Sequence, residues 1–211
     1  MKQPGFPLLS LAIGLATLAV TITLARVTEA DFGYLTRDPA QQFKFPSYAG
    51  FLSNVGVLFW MASATVTAFG AAMVANRPGA ARAQTFLIAL TLLSGAFCLD
   101  DFFVLHERIP IKEKYFFLSY ALFLAAILVL FRDLLDRAST VHLVLAGGFF
   151  ALSLGIDWRQ NMIEAYLGGV RILLEDGAKF LGAVFWLNFS WTFSAGQISR
   201  VWQGREVADS R

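Results

Sequence analysis

Residues 49–75 contain no Asp, Glu, Lys, Arg or His across 27 positions. A helix of roughly 20 apolar residues crosses the hydrocarbon core of a bilayer, and a longer one crosses it with tilt. The same character recurs in residues 6–25 and 115–131, which carry no charge, in 178–199, which is uncharged from Phe180 on, and in 138–156, where His142 is the one ionisable group. Residues 83–99 are also uncharged, and the helical pattern runs on to 105. Taking that run as 83–105, six spans result. The expected fold is all-α: a polytopic integral membrane protein, a six-helix transmembrane bundle forming one domain over 1–211.

Composition agrees. Hydrophobic residues make up 57% of the chain and charged residues 15%, against roughly 45–50% and about 25% in soluble domains. A net charge of +2 without a basic stripe gives no footprint for nucleic acid. The expected partner is the lipid bilayer, with a homo-oligomer or a larger membrane complex also open. The single cysteine, Cys98, excludes an intrachain disulfide and reads as a small buried hydrophobe. The first run also fits a signal peptide ending near Thr28-Glu29-Ala30, but it exceeds the usual length of about 7–15 residues. It is read as a helix.

The connections fit this plan. Short turns at "NRPGAARA" and "RDLLDRAS" make neighbouring helices antiparallel. Trp158 to Leu174 places Met162, Ile163, Tyr166, Leu167 and Val170 at helical spacing, interrupted by Gly168-Gly169. That pattern predicts an amphipathic helix lying in the interface. The loop from Val27 to Tyr48 carries five aromatics, which suits a lid. Ser63, Thr67, Ala71 and Ala75 recur at steps of four, as do Ala178 and Gly182. Small residues so spaced let helices approach closely in lipid. Six spans put both termini on one side of a cell (inner) membrane. Lys and Arg divide eight against nine between the two sides, so the positive-inside rule does not choose. The aromatic loop, suited to an external lid, favours cytoplasmic termini.

The acids are less evenly spread. Asp133, Asp136, Glu206 and Asp209 fall on the terminal side, and the other eleven lie at or beyond the opposite end. The stretch "FCLDDFFVLHERIP" closes the third run with Asp100, Asp101, His106 and Glu107. Asp157 ends the fifth, and Glu175 precedes the sixth. These six are the candidate ion- or proton-binding residues. An acid at membrane depth costs at least about 2.5 kcal/mol and normally faces the bundle interior. On one continuous helix Asp100 and Glu107 share a face and could hold a metal, while Asp101 aligns with Arg108 or meets Lys112 or Lys114. Glu175 and Lys179 are spaced for an ion pair, and Asp176 is placed to cap the last helix.

Several chemistries are disfavoured. His106 and His142 lie at opposite ends, so they share neither a zinc nor a haem. HExxH, GxSxG, Walker and GxGxxG motifs are absent. Oxygen ligands suit a hard divalent cation such as Ca or Mg. Desolvated carboxylates suit proton exchange. The expected function is an ion- or proton-linked transport protein or channel subunit. The alternatives are a membrane-embedded enzyme acting on a lipid or small apolar substrate, with Asp100 and His106 as acid and base, and an accessory subunit of a larger membrane complex.

Overall fold

Long runs without charge become long helices, because a backbone in apolar surroundings must satisfy its polar groups within its own segment. The computed structural model describes the backbone of residues 6–209, and the side chains of 10–203 except 113. It is 85% helical, without a strand among the described residues. The chain divides into two compact units, Met1–Ala49 and Gly50–Arg211.

The first unit holds α1 (Phe6–Thr28), α2 (Phe32–Thr36) and α3 (Pro39–Phe43). The described part of α1 is mostly apolar and is exposed apart from Thr21 and Ala25. Its threonines at 17, 21, 23 and 28 return their hydroxyls to carbonyls four residues back. The hydroxyls are thereby satisfied without water. Asp31 caps α2 by accepting from the Gly33 amide at 2.7 Å, and Asp38 caps α3 through the Gln41 amide at 3.2 Å. The aromatic loop thus contains two short capped helices.

The second unit holds α4 (Phe51–Val74), α5 (Ala81–Phe103), α6 (Leu105–Arg108), α7 (Glu113–Leu130), α8 (Arg137–Trp158), α9 (Gln160–Leu167) and α10 (Val170–Asp209). Helix α10 packs along both α8 and α4, and α4 along α5. Trp60, Phe86, Leu87, Leu90, Trp186, Phe189 and Phe193 fill the junction. Small residues set the spacing, as their steps of four imply. Ser63, Thr67, Ala71 and Ala178 are buried. A Cβ on Gly182 would collide with the Phe150 ring, so α8 and α10 meet there only because the residue is glycine.

Of the six expected spans, four are long and apolar enough to cross a membrane among the described residues: α1 from Ser10, α4, α5 and α8. The apolar part of α7 is shorter, Lys114–Leu130. The 40-residue α10 is not among the four. At 1.5 Å per residue it is about 60 Å long, and its middle includes Asn188, Ser190, Ser194 and Gln197. It starts at Val170, straight after the Gly168-Gly169 break, where Gly168 takes a positive φ of 52°. The predicted amphipathic segment is α9.

One correction bears on the site. Helix α5 does not continue through residue 105. It ends at Phe103, and Val104 turns left-handed at φ 54°, ψ 44°. A β-branched residue in that region is strained by about 1–2 kcal/mol. Val104→Gly would relieve the strain while adding about 0.5–1 kcal/mol of unfolded-chain entropy. We therefore expect thermal unfolding in detergent to place the variant within about 1 kcal/mol of the wild type. A much larger loss would mean that the valine side chain, not the turn, holds this junction.

Candidate functional site

The left-handed turn at Val104 folds the chain back over the end of α5. This brings the His106 backbone amide to Asp100 Oδ1 at 2.8 Å and the His106 ring Nδ1 to the same oxygen at 2.9 Å. The Tyr120 phenol, from α7, approaches the same carboxylate. Asp100 is only 4% exposed. Its burial is tolerated because a carboxyl group with several hydrogen-bond partners is not left unpaired. On the far side of the imidazole, Nε2 lies 3.8 Å from Glu107 Oε1, which is exposed. The Phe117 ring sits 5.6 Å from the imidazole. Asp100, His106 and Glu107 thus form a line from a buried carboxylate to the surface.

Asp101 belongs to a second assembly. Lys179 Nζ, from α10, donates to its Oδ1 at 2.6 Å, and the buried Trp60 indole, from α4, donates to its Oδ2 at 2.8 Å. One carboxylate therefore ties three helices together. It lines a recess of about 50 Å³ with Ser53, Trp60, Asp176 and Lys179.

A third group surrounds Arg171, whose side chain is nearly buried. Arg171 pairs with Glu175 one turn on, and its Nε lies 3.5 Å from Glu164 Oε2. That Nε contact is an ion pair without hydrogen-bond geometry. Glu175 lies before the expected span and its carboxyl is pushed above its ordinary 4.5. Burial is the largest cause, Asp157 and Asp176 act the same way, and Arg171 opposes them. A short ion pair and a raised pKa look contradictory. The net upward shift stands because one guanidinium, shared with Glu164, faces burial and two further acids.

The sign follows. A carboxyl raised on folding contributes stability below its unfolded pKa and loses it as pH rises through the folded value. Glu175→Gln should therefore flatten the fall in unfolding midpoint as pH rises from about 4.5. A pH dependence in Glu175→Gln identical to that of the wild type would contradict the assignment.

The six candidate residues thus do not form one cluster. Asp100, His106 and Glu107 stand together, Asp101 stands beside them with other partners, and Asp157 and Glu175 belong to the Arg171 group. Asp100 and Glu107 do not share a helix face, because α5 breaks between them. Asp101 pairs with Lys179 rather than with Arg108, Lys112 or Lys114. Glu175 pairs with Arg171, which leaves Lys179 to Asp101. Asp176 lies inside α10 and lines the recess instead of capping the helix. Among the described residues, no three His, Cys, Asp or Glu side chains are grouped to hold a metal.

Sequence reasoning did not select Trp60, Tyr120 and Arg171, and it gave Lys179 a different partner, Glu175. A signal existed for Trp60, because an indole N–H inside an apolar run needs an acceptor. Polar groups of the α7–α8 turn region have local partners. Asp136 caps α8 through the Ser139 amide and pairs with Arg200, and Arg82 pairs with Asp133. His142 stacks on Phe185.

Comparison with curated proteins and with solved structures finds no match to this chain. A family model matches residues 10–193, a stretch that includes every residue of the three assemblies. The chain belongs to the family described as a domain of unknown function (DUF8692).

Proposed function

We propose that this protein is a six-span integral membrane protein that moves protons or ions, with the Asp100–His106–Glu107 line as its proton-handling site. The observation that carries the reading is the buried Asp100 carboxylate. It sits near the end of a membrane-length helix and is hydrogen-bonded to an imidazole whose other nitrogen faces an exposed acid. Histidine changes charge near neutral pH and relays protons between its two nitrogens. Here those nitrogens face a buried acceptor and a solvated one. In this reading α7 and α10 complete the six spans, and α9 lies in the interface.

A pH gradient across proteoliposomes provides the test. The wild-type protein should dissipate it faster than protein-free vesicles, and equal rates would sink the proposal.

A second reading, an accessory subunit, is favoured by a separate observation. Both acids of the pair are already partnered by groups of this chain, as acids that only fix helices would be. The enzyme reading has less support. Both nitrogens of His106 face acids of this chain, Asp100 and Glu107, rather than an open cleft.

A further inference from the structure

Helix α8 begins at Arg137, where the charged α7–α8 turn gives way to a helix long and apolar enough to cross a membrane. A shallow groove of about 370 Å³ runs along this start. Leu135, Val141, Val144 and Leu145 form its apolar wall, and Asp136 and Arg137 stand at the end nearest the turn. We propose that the groove seats one anionic phospholipid, with its phosphate on Arg137 and an acyl chain along the apolar wall.

Spacing gives the first support. Arg137, Val141, Val144 and Leu145 follow at steps of four, three and one, so one face of α8 carries a cation and then apolar side chains. Arg137 to Leu145 is about 12 Å along the helix. That is most of one leaflet of a hydrocarbon core about 30 Å thick. A headgroup at Arg137 therefore leaves its chain level with the wall. Val141 and Val144 are exposed, so the chain's own fold leaves that wall open.

Charge selects the class of lipid. The Asp136 carboxylate is already engaged. Its Oδ1 accepts from the Ser139 amide at 2.8 Å and from the Ser139 hydroxyl at 2.7 Å, and its Oδ2 pairs with Arg200 at 3.3 Å. Arg137 is exposed and has no ion pair among the described residues. The groove therefore presents one unmatched positive charge. A guanidinium takes a phosphate through two parallel N–H donors, and basic residues beside a bilayer attract anionic lipid. A zwitterionic lipid brings its own cation and gains less there.

The inference rests on the membrane reading of the chain, and its test needs no flux. The purified protein in mild detergent is offered dioleoyl phosphatidylglycerol, with dioleoyl phosphatidylcholine as balance at constant total lipid. Native mass spectrometry counts the lipid retained, and the unfolding midpoint reports its effect. The wild type should retain phosphatidylglycerol in preference to phosphatidylcholine and unfold at a higher temperature with it. Arg137→Gln should lower that preference about fivefold, the effect of one basic residue beside an anionic surface. Arg132→Gln removes an exposed charge from the same turn without touching the groove, and should lower it less. Val144→Trp fills the groove from a position that is 65% exposed, so the variant should fold and retain less of both lipids.

Equal retention of the two lipids by the wild type, an equal fall in Arg132→Gln, or unchanged retention in Val144→Trp would overturn the inference. So would a midpoint shift of the same size with inorganic phosphate alone, which would make the groove a phosphate site without a lipid. Selective retention without proton or ion flux would sink the transport reading alone. Flux without selective retention would sink this inference alone.

Discussion

Asp100→Asn is expected to reduce proton flux in proteoliposomes to the protein-free rate while leaving the fold in place. The amide keeps the size of the carboxyl. Its oxygen, kept in the Oδ1 position, can still accept from both the His106 backbone amide and the ring Nδ1–H. The cost in stability should be about 1 kcal/mol, the value of a net hydrogen bond. What the variant cannot do is gain and lose a proton. Asp100→Ala is the contrasting change. It strands the His106 amide and ring in a half-buried site and removes the group that folds the chain over the Val104 turn. Each stranded buried donor costs about 1–3 kcal/mol, so this variant should unfold well below the wild type. Proton flux and thermal midpoint, measured on both variants, separate the two roles. Wild-type flux in a folded Asp100→Asn protein would leave the acid as a structural clamp and favour the accessory-subunit reading.

The helices were legible in the sequence because their signal is local. A long run without charge has few conformations open to it, and α4 and α8 fall within a few residues of the runs that predicted them. The concentration of acids at one end was legible too, from position alone. The pairing of those acids was not. Lys179 lies 78 residues from Asp101, and Trp60 lies 41 from it. Nothing in the spacing around Asp101 points to either, whereas Arg108 offered a local partner if the helix stayed continuous. It does not stay continuous, because Asp100 captures the His106 amide and closes a turn that valine disfavours. Local propensity argued for one helix, and a side-chain contact overrode it. The start of α10 was missed for a simpler reason. Glu175 and Asp176 read as residues that precede and cap the last span, but charged residues extend a helix readily once it leaves the apolar layer.

The largest loss of stability should come from Trp186→Ala, about 3–5 kcal/mol by comparison with other buried aromatic truncations. Trp186 is 1% exposed and stands where three helices meet. Its ring lies 5.4 Å from Phe189, 6.0 Å from Phe97 on α5 and 6.5 Å from Trp60 on α4, centroid to centroid. Its indole N–H donates to the buried Ser94 hydroxyl at 2.9 Å. In detergent or lipid the transfer from water contributes less than in a soluble core, since the surroundings are already apolar. The cavity contribution persists, because ring atoms on three helices lose their contacts outright. Trp186→Phe keeps most of the bulk and gives up the bond to Ser94, for about 1 kcal/mol. The larger variant should also reach the site. Trp60 packs against Trp186 on one side and holds Asp101 on the other, so a collapsing junction releases the carboxylate at the recess. Chemical unfolding in mild detergent, read by circular dichroism, gives the stability of both variants. A loss below about 1 kcal/mol in Trp186→Ala would mean that the helices are held elsewhere and that the aromatic junction is not the core of the second unit.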